Sequence, residues 1–129
     1  MAQPVAKVFL GKAEEYLASA QDNLSQDRFT VAAGDAIHSG ISAKDAIVTA
    51  LTGTTGKGKD HIMAVAESRR SLGDRVETAS AERALRELVA AKSEVEYGAT
   101  AIPASRASAL VRRASILCEL ASKIVRGQR

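Results

Sequence analysis

Residues 30–51 read TVAAGDAIHSGISAKDAIVTAL, and the reading of this stretch decides the fold. Successive residues of an α-helix turn by about 100°. On that wheel Ile37, Ile41, Ile47, Val48 and Leu51 fill one broad arc. Ala32, Ala36, Ala43, Ala46 and Ala50 fill another, where a neighbouring backbone can come close. Asp35, His38, Ser42, Asp45 and Thr49 make a narrow polar arc, and Lys44 is the one charge elsewhere. A helix that is apolar or small on nearly all sides is a buried helix. The stretch is therefore expected to be the central post of a helical bundle, with a single hydrophilic seam.

Working outward, residues 7–24 keep a helical period, with Phe9, Ala13, Tyr16, Leu17, Ala20 and Leu24 on one face. The polar break Ser25-Gln26-Asp27-Arg28 is short, which implies an antiparallel helical hairpin with Asp27 as the N-cap of the central helix. Downstream, Gly53 ends the central helix, and GTTGKGKD (53–60) leads into a shorter helix over 60–72. Ile62, Val65, Ala66 and Leu72 form its inner side, and Gly73 ends it in a left-handed conformation. A fourth helix is expected over 80–97, with Leu85, Leu88, Val89, Lys92 and Val95 on one face and Arg83, Glu87 and Glu94 off it. Gly98 breaks it, and Pro103 begins a fifth helix over 104–125. There Ala107, Leu110, Ala114, Leu117, Ala121 and Ile124 repeat by three and four, and Val111, Cys118 and Val125 widen the face. The pattern predicts an all-α five-helix bundle, one domain spanning 1–129, with an antiparallel helical hairpin and a central buried second helix.

The chain has 129 residues, 46% of them hydrophobic and 26% charged, which is the composition of a soluble domain able to bury a core. Aromatic residues make up 3% and there is no Trp, which weighs against reading nucleic acid by base stacking. Cys118 is the only cysteine, so no intramolecular disulfide forms and a reducing cytoplasm is expected. The opening MAQPVAKVFLGKAEEY lacks the apolar core of a signal peptide, and no stretch has the roughly 18 apolar residues of a membrane span. Net charge is +3, and residues 101–129 carry six basic groups against one acidic group, so the basic excess sits on the last segment.

Three groups of residues are candidates for function. Asp35, His38, Ser42 and Asp45 share one ridge of the central helix. A carboxylate beside an imidazole holds its tautomer and raises its basicity, which suits ligand binding or proton transfer. The same ridge equally serves to satisfy polar groups on neighbouring helices. Metal and cofactor sites are not expected, because no second ligand cluster accompanies the ridge. Lys57 and Lys59 sit in the glycine-rich loop, which approaches the phosphate-binding pattern G-x-x-x-x-G-K-[ST]. Asp60 replaces its hydroxyl and a helix precedes it in place of a strand, so a true phosphate loop is not expected. Weak phosphate attraction at a helix start, or a plain connector, remains. Arg83, Arg86, Arg112 and Arg126 form a basic surface that suits phosphate or nucleic-acid contact, or simply solubilises the bundle. Cys118 reads as a small buried hydrophobe. The Ala arc of the central helix and the apolar face of the fifth offer more apolar surface than five helices cover alone, which predicts a homodimer or a partner chain.

Three pieces of the chain together resemble the HEPN domain, a nucleotide-binding helical bundle of bacteria and eukaryotes. They are the hairpin AEEYLASAQDNL…RFTVAAGDAIHSGISAKDAIVTALTG, the glycine-rich loop leading into KDHIMAV, and KSEVEYGAT followed by ASALVRRASIL. The resemblance covers nearly the whole chain. It implies nucleotide or RNA binding, partnership with a small nucleotidyltransferase, or a place in a toxin–antitoxin system. HEPN members that cut RNA carry an Arg followed four to six residues later by a His. Here Val31, Ala32 and Ala33 precede His38, and Thr54, Thr55 and Gly56 precede His61. The expectation is a non-catalytic binding or interaction module. The alternatives are a degenerate ribonuclease pairing His38 with Arg83 or Arg86, and a structural bundle without a ligand.

Overall fold

The structure, a computed structural model, describes residues 4–53, 66 and 69–127. It is an all-α helical bundle. Its long helices are α1 (Pro4–Ser25), α2 (Phe29–Thr52), α3 (Thr78–Tyr97) and α4 (Ala104–Gly127). Residues 66 and 69–72 are also helical and fall within the short helix expected over 60–72. Leu72 is buried and Gly73 takes φ +60°, as the pattern predicts, while Ile62 and Val65 lie outside the described residues. No described helix is long and apolar enough to cross a membrane.

The hairpin expected between the first two helices is present, but its turn works differently. Asp27 has φ +61° and is not the N-cap of α2; Arg28 holds that position, and its side chain makes no capping bond. The Arg28 amide donates to the Asn23 carbonyl and the Asp27 amide to the Leu24 carbonyl. These two bonds form a Schellman motif, with Asp27 as the left-handed residue that closes α1. Asp27 thus serves the end of the first helix, because the chain has to reverse there before the second can begin.

α2 is the buried post. Ala32, Ala36, Ala43, Ala46 and Ile47 are fully buried, Ile37 is 2% exposed, and Gly53 closes the helix in the left-handed conformation. α2 and α4 each contact all the other long helices, whereas α1 and α3 do not touch. The bundle is therefore a two-helix spine with one helix on each flank. Ser39 lies on the Ala side of α2 and reaches α1, so the Ala arc is covered by α1 within a single chain. The repeating face of α4, from Ala107 to Ile124, is likewise buried. The two apolar surfaces expected to need a partner are already covered. On the α3 side, a Cβ placed at Gly40 would lie 2.5 Å from Leu88 Cδ1 and 3.3 Å from Leu117 Cδ1. The missing side chain is what lets both leucines close on α2.

Candidate functional site

The antiparallel register of the hairpin sets what faces the polar ridge. Ser19 Oγ donates to Asp35 at 2.6 Å, and Asn23 Nδ2 donates to the same carboxylate oxygen at 3.2 Å. Three residues further along α2, the His38 ring stacks on Tyr16, with centroids 5.2 Å apart and planes inclined by 28°. The same register sets Ser42 at the level of Lys12 and Val31 at the level of Asn23. Asp35, Ser42 and Asp45 are half-buried and His38 is exposed, so the ridge opens along the α1–α2 groove.

The four ridge residues share an edge, but they do not form one chemical unit. The Asp35 carboxylate is occupied by α1, and among the described residues His38 makes no hydrogen bond to a carboxylate. Asp45 pairs with buried Lys44 at 2.5 Å. The hydrogen-bonded carboxylate–imidazole pair open from the sequence is absent, because the hairpin register hands Asp35 to Ser19 and His38 to Tyr16. Among the described residues no group of three His, Cys, Asp or Glu side chains is placed to hold a metal ion.

The basic surface is largely neutralised. On α4, Arg106 pairs with Glu94 (2.7 Å), Arg113 with Glu87 (3.0 Å) and Lys123 with Glu77 (2.8 Å). The first partner of each pair is on α4 and the second lies on or at the start of α3, so steps along one helix are matched by steps along the other. Arg126 donates to Glu14 of α1 at 3.0 Å, and Arg112 donates to Ser108 at 3.1 Å. On α3, Arg86 pairs with Glu82 at 2.8 Å, while Arg83 is exposed. The basic excess read on the last segment meets acids contributed by α1 and α3. Lys57 and Lys59 lie outside the described residues. His38 stacks on Tyr16 of α1, while Arg86 pairs with Glu82 on α3, and among the described residues no hydrogen bond joins His38 to Arg83 or Arg86.

Tyr16, Ser19 and Asn23 complete the ridge, and none of them was singled out for function from the sequence. The signal was available: once the turn at 26–28 is placed, an antiparallel hairpin fixes which α1 residue meets Asp35 and His38. A second polar point lies deeper. Ser39, fully buried, donates to the Ala13 carbonyl at 2.8 Å and sits 3.1 Å from Cys118 Sγ. Burial pushes the Cys118 thiol up, against the Ser39 hydrogen bond, with nearby Glu14 adding to the rise. A protonated thiol is a poor nucleophile, which fits its reading as a small buried side chain. Two adjoining hollows of about 290 and 430 Å³ flank the Glu77–Lys123 pair, over Ile116, Leu120 and Ile124.

Fold and face together define an all-α bundle that displays a mixed polar and apolar surface along its first hairpin. No protein-family model matches the chain, and no curated protein matches its sequence.

Proposed function

We propose that the chain is a non-catalytic binding or interaction module of HEPN-like type, acting through the α1–α2 groove. The observation that carries this reading is the stacked, exposed His38 beside Tyr16, with Asp35 already fixed by Ser19 and Asn23. An imidazole without a carboxylate partner, on an open edge, suits recognition better than proton transfer. The resemblance of the hairpin and of the last helix to HEPN domains adds nucleotide or RNA as ligand and a small nucleotidyltransferase or toxin–antitoxin partner as protein. The single cysteine fits a cytoplasmic setting. Self-association as a homodimer belongs to the same reading.

Titration with nucleotides and short RNAs, read as a thermal shift, tests it. A ligand at about a hundred times its Kd stabilises by about 2.7 kcal/mol, a shift of several degrees for a domain this size. The shift is expected to vanish in the Tyr16→Ala/His38→Ala double variant. No shift with any of these ligands would leave a structural bundle. RNA cleavage by the wild type that is lost in His38→Ala would restore the ribonuclease alternative.

A further inference from the structure

We propose that a second copy of this chain covers the α1–α2 face, about a two-fold axis that lies in the face and passes through the Tyr16–His38 contact. This rests on the self-association part of the reading above and names its interface. Six large apolar side chains remain exposed among the described residues, and four of them, Val5, Val8, Tyr16 and Val31, lie on α1 and α2. Val8 is 56% exposed and Val31 is 51% exposed, while the Ala arc and the α4 face are buried. Apolar side chains grouped on one face mark an interaction surface more often than the same residues scattered singly.

Self-complementarity selects the occupant. Val8 and Val31 sit at diagonally opposite ends of the face, about 12 and 10 Å from the Tyr16–His38 contact along the helix axes. The two-fold exchanges these ends when the two hairpins cross at about 50°, the commonest angle between packed helices. Val8 of each copy then rests on Val31 of the other. The same operation sets Lys12 of each copy beside Asp35 of the other, a basic position against an acidic one. Asp35 is well suited to this, since Ser19 and Asn23 hold its carboxylate in place. An isologous contact makes each of these pairs twice. The face is two helices wide and about 24 Å long, so each copy covers on the order of 600 Å², the low end for a specific interface.

Sedimentation equilibrium of the full chain tests the assignment. The wild type is expected to sediment at about twice 13.5 kDa at micromolar concentration. Val8→Asp and Val31→Asp, both at exposed positions, are each expected to weaken the dimer at least about 30-fold with unchanged helical circular dichroism. In a cycle of Lys12→Ala and Asp35→Asn, the second change is expected to cost little once the first is made. A dimer indifferent to Val8→Asp and Val31→Asp overturns this interface and leaves self-association standing. Additive effects of Lys12→Ala and Asp35→Asn overturn the pairing across the axis. A second copy seated here covers the Tyr16–His38 edge, so nucleotide or RNA bound at that edge competes with the dimer. A wild type that stays monomeric overturns both interface and self-association and leaves the titrations to decide the ligand reading.

Discussion

The two flanks of the α2–α4 spine bury different proportions of small and large side chains. α1 approaches with small residues: Ala6, Ala13 and Ala20 are fully buried, and the polar point Ser39–Ala13–Cys118 ties it to both spine helices. α3 mixes sizes: Leu85 and Leu88 are fully buried beside Ala81, Ala84 and Ala91, whereas α1 buries one large side chain, Leu10, and a row of ion pairs joins the edge of α3 to α4. Small residues allow close backbones but bury little apolar area per residue. Leucines bury more and need room, which Gly40 supplies. The outer surfaces differ accordingly. α3 presents Arg83 and Arg86 to solvent, with Tyr97 at its end, whereas α1 presents Val5, Val8 and Tyr16 along its length. The proposed binding face lies on the flank seated chiefly on alanines, where Val5, Val8 and Tyr16 are exposed.

On this contrast the α3 flank breaks by deletion and the α1 flank by enlargement. Leu88→Ala is expected to have the largest effect, a loss of about 2–5 kcal/mol in urea-induced unfolding. Gly40 has no side chain with which to refill the space. A loss below about 1 kcal/mol would mean that α3 repacks freely.

Ala13→Leu is the matching change on the other flank. Its side chain has no room beside Ser39, and overpacking of this kind costs about 1–3 kcal/mol. Helix propensity alone predicts almost no effect, since Leu is nearly as good a helix former as Ala. An unchanged urea midpoint would show that α1 rides loosely on the spine.

Much of this was legible in the sequence, because helical periodicity reports burial directly. The ends of α1, α2, α3 and α4 fall within a few residues of those expected, and every residue assigned to the repeating face of α4 is buried. Periodicity within one helix does not say which neighbour covers which arc. The Ala arc looked unpartnered for that reason, although α1 fills it. Periodicity puts Tyr16 on the inner face of α1, but the ring turns to the groove edge, at 38% exposure, and Leu10 takes an inward position instead. Asp27 closes α1 instead of opening α2, because capping residues look alike at either end of a turn: an Asp between two helices can close one or open the next. The ion pairs between α3 and α4 and the hydrogen bonds of Asp35 depend on the register between helices, which no single-helix wheel contains.

The smallest effect belongs to the ion-pair row, and it separates the flanks by conditions instead of by size. Arg113 and Glu87 retain 35% and 42% side-chain exposure, so water and salt screen them. Glu87→Gln is therefore expected to cost no more than about 1 kcal/mol, and less in high salt. Acid acts on the same row through Glu77, whose carboxyl is held below the usual carboxylate range chiefly by its hydrogen bond from Lys123. A group whose folded pKa is depressed contributes stability above its unfolded pKa and loses that contribution as pH falls through the folded value. Lowering the pH through the ordinary glutamate range should thus loosen the α3 edge. In Lys123→Met that part of the pH dependence should shrink, leaving only what the backbone hydrogen bond at Glu77 and nearby Arg75 contribute. Amide hydrogen exchange resolves the two flanks: acid should speed exchange along the start of α3 while α1, seated on alanines, keeps its protection. Equal acceleration in both helices would mean that the row contributes nothing local, and that the flanks differ only in the size of the side chains they bury.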